Sequence, residues 1–487
     1  MPPTRPAEVP ALRPLCVDLD GTLVATDTAW EALLTLIKRR PWLALSVPVV
    51  ALGGLAKLKC WLTGRVELDA AALPYRAQVL DFLREQKSAG RPLVLATGAH
   101  ERVAQAVADH LGLFDDVIAT DAKRNCIGPG KCEAIVGRLG PAGYDYLGDS
   151  AADVAVCCDA REAYLVNPTA RTRRRVAASG KLVEVFSDGE ARGGRLWALV
   201  LGMRPQQWVK SGLLAVPMLV GQQFYDLMHW VWLVLAMASF SLAASAVYLL
   251  NDLFDIAADR QHSIKRHRPL AAGRLPIPLA LLAVPVLLAA ALLIGAVGVS
   301  PLFAGLVAGY VALGLAYTWA VKGKAILDVI WLAGLYVLRL IAGGLAVDVV
   351  TSAWLLGFAM FAFLSIAFAK RYAELVRVER QQGTAAAGRG YLVTDLTLLG
   401  TVGPVAGYMS VLVLALYITS DDVNELYETP SLLWLICPLL VYWLTRLWLK
   451  AHRRELREDP VMFTLTDPAT YGVIAMILGV AVAAAWG

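Results

Sequence analysis

From residue 208 onward the chain repeats one pattern nine times: a long apolar run closed by a short polar loop. The runs are roughly 208–221, 229–250, 276–298, 301–320, 325–347, 352–369, 402–419, 431–449 and 470–486. Most approach the roughly 20 residues that a helix needs to cross a hydrocarbon core about 30 Å thick. Lipid offers no partner for free backbone groups, so a chain built this way spans as helices. The pattern predicts an all-α polytopic membrane domain of about nine transmembrane helices over residues 204–487. Loop charge orients it. The connections after segments two, four, six and eight carry Arg260, Lys265, Arg266, Arg268, Arg274, Lys322, Lys324, Lys370, Arg371, Arg377, Arg380, Arg389, Lys450, Arg453, Arg454 and Arg457, and those after one, three, five and seven carry no Lys or Arg. By the positive-inside rule the even loops and everything before the first segment are cytoplasmic, and the C-terminus is outside. Lys450 to Arg457 read as topology and lipid-headgroup charges. The expected location is a bacterial inner membrane.

The preceding residues differ in kind. The first 195 hold 25 Lys or Arg and 23 Asp or Glu, against 20 and 17 in the remaining 292. That is the charge density of a water-soluble domain, expected over residues 1–186, with a polar, glycine-rich linker at 187–203. The net charge of +5 is spread over both halves, which speaks against a nucleic-acid partner. Seven cysteines without CxxC spacing read as reduced thiols of a cytosolic compartment, and the adjacent Cys157 and Cys158 as core filler. No apolar run precedes Leu12, so no cleaved secretory signal is expected. Short apolar runs at 12–18, 91–97, 144–148 and 163–166 end in Asp, Gly, Thr or Asn, and helical patterns such as 76–87 and 101–111 separate them. The alternation predicts an α/β, Rossmann-like parallel sheet covered by helices, with its ligand site at the carboxyl ends of the strands.

The polar groups at those strand ends form an ordered set: Asp18, Asp20 and Thr22 after the first run, Thr97 after the second, Lys131 before a helix, and Asp149 and Asp153 after a later run. They supply a carboxylate nucleophile, a second carboxylate for proton transfer, a hydroxyl and an ammonium for phosphate oxygens, and carboxylates for a hard cation. In this order the set resembles the haloacid-dehalogenase-type phosphatases over about residues 12–185. The resemblance implies that Asp18 attacks phosphorus and that Asp20 protonates the leaving oxygen and then activates water. It further implies that Thr97 and Lys131 hold the phosphoryl group, and that Mg2+ sits on Asp18, the Asp20 backbone and Asp149 with Asp153 close by. Residues 24–88 resemble the helical cap that selects substrate in that family. Within them the apolar stretch 42–56, broken by Pro48, Gly53 and Gly54, is too short for an easy span. It reads as a cap face that rests on the membrane or covers a lipid-like substrate, or else as an ordinary hairpin core.

The second apolar segment ends in Asn251, Asp252, Asp255 and Asp259, followed at once by Lys265, Arg266 and Arg268. Steps of three and four place the three aspartates on one helix face, where a divalent cation would relieve their repulsion and grip a diphosphate. This motif, followed by a basic Arg-Pro segment, resembles the first signature of UbiA-type intramembrane prenyltransferases, over about residues 200–487. Members use Mg2+ on two Asp-rich motifs. Here the second motif is incomplete, since Asp328 has Leu332 four residues on.

Around it, Tyr317, Lys322, Asp328, Arg339, Lys370, Arg371 and Glu374 resemble the decaprenyl-phosphate phosphoribosyltransferase branch. That resemblance implies that a polyprenyl phosphate attacks C1 of phosphoribosyl diphosphate. The chemistry needs cations more than a base, because the lipid phosphate is already mostly dianionic. Lys265, Arg266, Arg268, Lys322 and Lys370 are the expected cations. Arg339, inside an apolar segment, joins them as a phosphate ligand; it is eleven residues from Asp328, too far to pair with it along one straight helix. The expected whole is a bifunctional enzyme with one Mg2+ in each site, making a phosphoribosyl lipid and then removing its 5-phosphate. The alternatives are an aromatic prenyltransferase of quinone synthesis with a separate phosphatase domain, a non-catalytic phosphate-sensing module, and a transporter. Membrane lipids are expected partners, and self-association into a homo-oligomer is left open.

Overall fold

The structure, a computed structural model, describes residues 12–121, 124–187, 194–262, 264–386, 388–424, 426–456, 460, 464 and 467–486. They form two compact units, Met1–Arg204 with Tyr248–Val284, and Pro205–Val247 with Pro285–Gly487. Of the expected linker, residues 188–193 lie outside the described residues, as does Arg457.

In the first unit six parallel strands pair in the order β3-β2-β1-β4-β5-β6. They are β1 (Leu15–Val17), β2 (Leu93–His100), β3 (Asp116–Thr120), β4 (Asp145–Gly148), β5 (Ala163–Val166) and β6 (Leu182–Phe186). Four of these are the apolar runs expected from the sequence, whereas β3 and β6, the two edges, are not among them. Central strands buried on both faces are continuous apolar runs, whereas edge strands keep polar and half-exposed positions, as β6 does with Glu184. The helices are α1 (Thr28–Arg39), α2 (Leu55–Thr63), α3 (Ala77–Ser88), α4 (Glu101–Leu111), α5 (Pro129–Leu139), α6 (Val154–Asp159) and α7 (Ala170–Ala178). Alternate residues of β1 feed opposite cores. Leu15 and Val17 join Leu93, Leu95 and Val107, while Cys16 joins Val94, Ala96 and Tyr146. Helices α1 and α2, with the turns Pro41–Ser46 and Val47–Ala51 between them, enclose a separate small core of Ala32, Leu36, Leu62 and Val66. This small core lies within residues 24–88, where a cap is expected.

The same unit contains helix α8 (Gly194–Met203), the end of the long helix α9 (Leu227–Gln261) and the start of α10 (Ile277–Gly298). Arg260 near the end of α9 pairs with Glu31 of α1 at 2.6 Å, each side chain 9% exposed. Thr26 donates to the same carboxylate, and Arg260 also donates to the carbonyl oxygens of Ala271 and Ala72. Lys38 donates to the Phe254 carbonyl at 2.8 Å. Gly273, at φ +71°, passes so close to Ala25 that a Cβ would lie 2.2 Å from its carbonyl oxygen, so only glycine permits this approach.

Eight helices among the described residues are long and apolar enough to cross a bilayer. They are α9 and α10 with α11 (Pro301–Ala316), α12 (Leu327–Ala346), α13 (Ala353–Arg380), α14 (Leu396–Ile418), α15 (Ile436–His452) and α16 (Pro468–Trp486), of which α11, α14 and α15 reach spanning length with their adjoining turns, as Pro301–Val321, Val393–Ile418 and Pro430–His452. The protein is therefore a multi-pass membrane protein. The first of the nine expected segments departs from the α-helical expectation. Pro205–Ala215 is a 3-10 helix that runs directly into one α-helical stretch, Val216–Val220, with Pro217 inside the junction. The second unit packs closely through small residues: a Cβ on Gly403 would lie 2.1 Å from the Trp448 ring, while Trp448 donates to Ser365 and Ser365 to the Gly403 carbonyl.

Candidate active sites

Because β1 lies between β2 and β4, the residues following these strands converge. Asp18 leaves β1 fully inside the domain, Thr97 stands in β2, and Asp149 follows β4. Lys131, at the start of α5, reaches Asp18 and Asp153, each at 2.9 Å, and donates to the Tyr146 hydroxyl at 3.0 Å. Tyr146 donates to Asp153 at 2.8 Å, and the Ser150 backbone and hydroxyl donate to its other oxygen. The arrangement fixes the ammonium beside the Asp18 carboxylate without letting it rotate away. Asp20 accepts from the Thr28 backbone N–H at 2.8 Å, at the first turn of α1. Thr97 accepts from the Ala99 N–H at 3.0 Å, which leaves its own proton for an incoming oxygen.

Electrostatics divide the carboxylates. Burial, with Lys131 opposing it, pushes Asp18 up to about 6. Burial and then the neighbouring Asp27 push Asp20 up to about 7, a value suited to giving and taking a proton near neutrality. Burial and the charges of Asp18 and Asp153 push Asp149 up to about 8. Asp153 goes the other way: burial is outweighed by Lys131, Ser150 and Tyr146, and its pKa is lowered. Lys131 is held in its charged form because Asp18 and Asp153 outweigh its burial.

Oxygens of Asp18, Asp149 and Asp153 lie within 4.8 Å of one another, the one such group of potential metal ligands among the described residues. Asp153, expected close to the cation, stands in this group with Asp18 and Asp149. Gly21, at φ +81°, makes room for it, since a Cβ there would sit 2.4 Å from the Asp149 carboxylate. Clustered hard oxygens that raise each other's proton affinity fit Mg2+.

The Asp-rich end of α9 is arranged differently from the expectation. Asp252 and Asp259 are buried, but Arg268 stands between them, 3.1 Å from the first and 2.5 Å from the second, and Arg204 adds a contact of 2.5 Å to Asp252. Asp255 is half-buried and does not converge with them on one point. The mutual repulsion of the helix face is here relieved by guanidinium groups. Arg268 is brought into this group; Asn251 and Lys265 are half-buried nearby in sequence, and Arg266 is exposed.

In the second unit Asp328 is fully buried against Arg371 at 2.6 Å and the Tyr391 hydroxyl at 2.7 Å. Tyr391 in turn accepts from the backbone of Ile326, which is held at φ +68°. Arg371 also pairs with Glu374 and donates to the Tyr317 hydroxyl, which accepts a second bond from Arg389 at 2.7 Å. Tyr317 opens a π-helical turn, Tyr317–Val321, a local widening that often marks functional positions. Lys370 and Arg371 belong to α13 and not to a loop, and Lys322 and Lys370 are half-buried. Arg339 is buried within α12. It donates to the Tyr310 hydroxyl at 2.7 Å and lies over the rings of Phe240, Tyr310 and Tyr336, an aromatic enclosure that stabilises a buried cation.

Most residues that the sequence did not single out act through a partner remote in the chain. Lys59 of the cap donates to the Gly98 carbonyl at 2.6 Å, and Tyr146, Arg204, Arg389 and Tyr391 reach the sites from elements without a motif, while Ser150, inside the motif of Asp149 and Asp153, holds its neighbour Asp153.

A sheet that gathers Asp18, Asp149, Asp153 and Lys131 at its switch point, in one chain with eight candidate spanning helices, defines a membrane enzyme with a hydrolase domain. Residues 211–466 match the UbiA prenyltransferase family and residues 15–157 the haloacid dehalogenase-like hydrolases, and the chain belongs to the UbiA family with a haloacid dehalogenase domain in front. The protein y4nM of Sinorhizobium fredii is 34% identical over 467 residues, 95% of this chain and 89% of that one. Nodulation protein NoeC of Azorhizobium caulinodans is 35% identical over 57% of this chain and 89% of its own length. The decaprenyl-phosphate phosphoribosyltransferase of Mycobacterium tuberculosis is 42% identical over 186 residues, 37% of this chain and 61% of that enzyme.

Proposed function

We propose that the enzyme transfers 5-phosphoribose from phosphoribosyl diphosphate to a polyprenyl phosphate and then removes the 5-phosphate, giving polyprenylphosphoryl ribose. One observation carries the reading: the 42% identity over 186 residues to a decaprenyl-phosphate phosphoribosyltransferase, in a chain that also holds an assembled phosphatase site. In the first reaction a lipid phosphate oxygen attacks ribose C1 and pyrophosphate leaves. Asp252, Asp255 and Asp259 are the carboxylates assigned to the donor side, with Asn251, Lys265, Arg266, Arg268 and Arg204 as the groups that meet its diphosphate. Tyr317, Lys322, Asp328, Lys370, Arg371 and Arg389 are assigned to binding or positioning phosphate, and Arg339 to a structural role among its rings.

In the second reaction an oxygen of Asp18 attacks the 5-phosphate while Asp20 gives its proton to the departing ribose oxygen. The aspartyl-phosphate is then hydrolysed by water that Asp20, now ionised, deprotonates. Thr97 and Lys131 hold the phosphoryl oxygens throughout. Mg2+, held by Asp18, Asp149 and Asp153, would neutralise charge between nucleophile and phosphate. The N-terminal domain and the basic loops are assigned to the cytoplasmic face of an inner membrane. The test is mass spectrometry of lipids after incubation with polyprenyl phosphate, phosphoribosyl diphosphate and Mg2+. The expected product carries ribose without the 5-phosphate. A prenylated aromatic acceptor formed from polyprenyl diphosphate, with no phosphoribosyl lipid, would replace this reading with the quinone-pathway one.

A further inference from the structure

The cap carries an apolar surface that its own core does not use. Between α1 and α2, Leu43 and Val47 turn inward onto Ala32, Leu36 and Leu62. Trp42, Leu45, Val49 and Leu52 turn outward and are 66%, 83%, 70% and 89% exposed. Their spacing of three, four and three follows the 3-10 turn Pro41–Ser46 into the α-helical turn Val47–Ala51, so they form one stripe. Four adjacent large apolar side chains in water are costly, at about 25 cal/mol per Å2 of apolar surface, and mark a surface that meets something.

Three observations identify what it meets. The stripe begins directly after Lys38, whose ammonium donates to the carbonyl of Phe254 in α9, a helix long and apolar enough to span the bilayer. Arg39, Arg40 and Lys57, all exposed, flank the stripe at its base. The stretch itself, six 3-10 and five α residues or about 20 Å, is too short to cross but long enough to lie in the interface plane. We propose that residues 41–54 are a monotopic membrane anchor. Trp42, Leu45, Val49 and Leu52 enter the acyl boundary of the leaflet on the phosphatase side, and Arg39, Arg40 and Lys57 lie among anionic headgroups. The anchor continues into α2, whose Lys59 touches the Gly98 carbonyl beside Thr97, so the element that holds the bilayer also borders the phosphatase site. The anchoring itself does not depend on which phosphate ester is cleaved.

The test uses the full-length protein in nanodiscs of phosphatidylcholine and phosphatidylglycerol, with a photoreactive benzoylphenylalanine at position 45 or 52. Position 183, on edge strand β6 and 56% exposed, serves as the control. Turnover of p-nitrophenyl phosphate within twofold of the unmodified protein verifies the fold of each sample. Irradiation should give lipid adducts at 45 and 52 at least fivefold above those at 183, and Arg39→Glu with Arg40→Glu should cut them at least threefold. Adducts to a second copy of the chain, adducts confined to protein, or yields equal to the control would each overturn the anchor.

Discussion

Asp18→Asn preserves the volume of the side chain that meets Lys131 and removes the oxygen assigned to attack phosphorus. Phosphate release should fall at least a thousandfold, about 4 kcal/mol in barrier, while the lipid-linked phosphoribose 5-phosphate still forms and accumulates. Release at the wild-type rate would remove Asp18 from the mechanism. Nearby, Asp18 and Asp149 have pKa values raised to about 6 and about 8, so at pH 7 the metal-free site still holds a proton, chiefly on Asp149. Cation binding requires both groups ionised. Mg2+ affinity should therefore rise from pH 6 to 8 and level off above, with release of roughly one proton at pH 7, measurable by calorimetry in buffers of different ionisation enthalpy. Binding at pH 7 without proton release would contradict the assignment of Asp149. At this scale the sequence was most legible where chemistry is local to a strand end, as with Asp18, Asp20, Thr97 and Lys131. It was least legible where a side chain is fixed by a distant one. Nothing in spacing alone pairs Asp328 with Arg371 and Tyr391, or slides Arg268 between Asp252 and Asp259.

Among elements, hydropathy period identified the last eight spanning helices and the four central strands, and failed at edge strands and at the segment 205–220, whose helix type it cannot distinguish. Helix type changes reach: eleven 3-10 residues rising about 2 Å each and five α residues rising about 1.5 Å give about 30 Å, the thickness of the hydrocarbon core. If this stretch crosses, the spans number nine and the two ends of the chain face opposite sides. A reporter active only outside the cytoplasm, fused after residue 487, should then be active, and a silent one would leave eight crossings. The contact of α1 with α9 is equally testable. Arg260 and Glu31 are both nearly enclosed, and removing one partner of such a pair costs about 3–5 kcal/mol because the other charge stays buried. Arg260→Met should lower the temperature at which phosphatase activity is lost, and adding Glu31→Met should recover part of it. Equal inactivation temperatures for wild type and Arg260→Met would mean that the pair bears no load.

For the molecule as a whole, the proposed joining of two reactions in one chain would raise the local concentration of the second site around a lipid that cannot diffuse away into water. The phosphatase should accordingly prefer the lipid-linked product, with free ribose 5-phosphate and phosphoribosyl diphosphate as poor substrates, since hydrolysing the donor would starve the transferase. Comparing kcat/KM for the three compounds with the full-length protein in membranes decides this, and equal or better turnover of the free sugar phosphates would refute the sequence of reactions. The pairing of Glu31 with Arg260 also sets an order in biosynthesis. The two residues are 229 positions apart, and Arg260 follows the last strand of the sheet, which ends at Phe186, so at roughly 5–20 residues per second the ribosome completes the hydrolase domain about 4–15 s before it supplies the guanidinium that neutralises Glu31. During that interval the face formed by Ala25, Glu31 and Ala72 waits uncovered, and the domain reaches its final packing only after the helix bearing Arg260 has been delivered to the membrane.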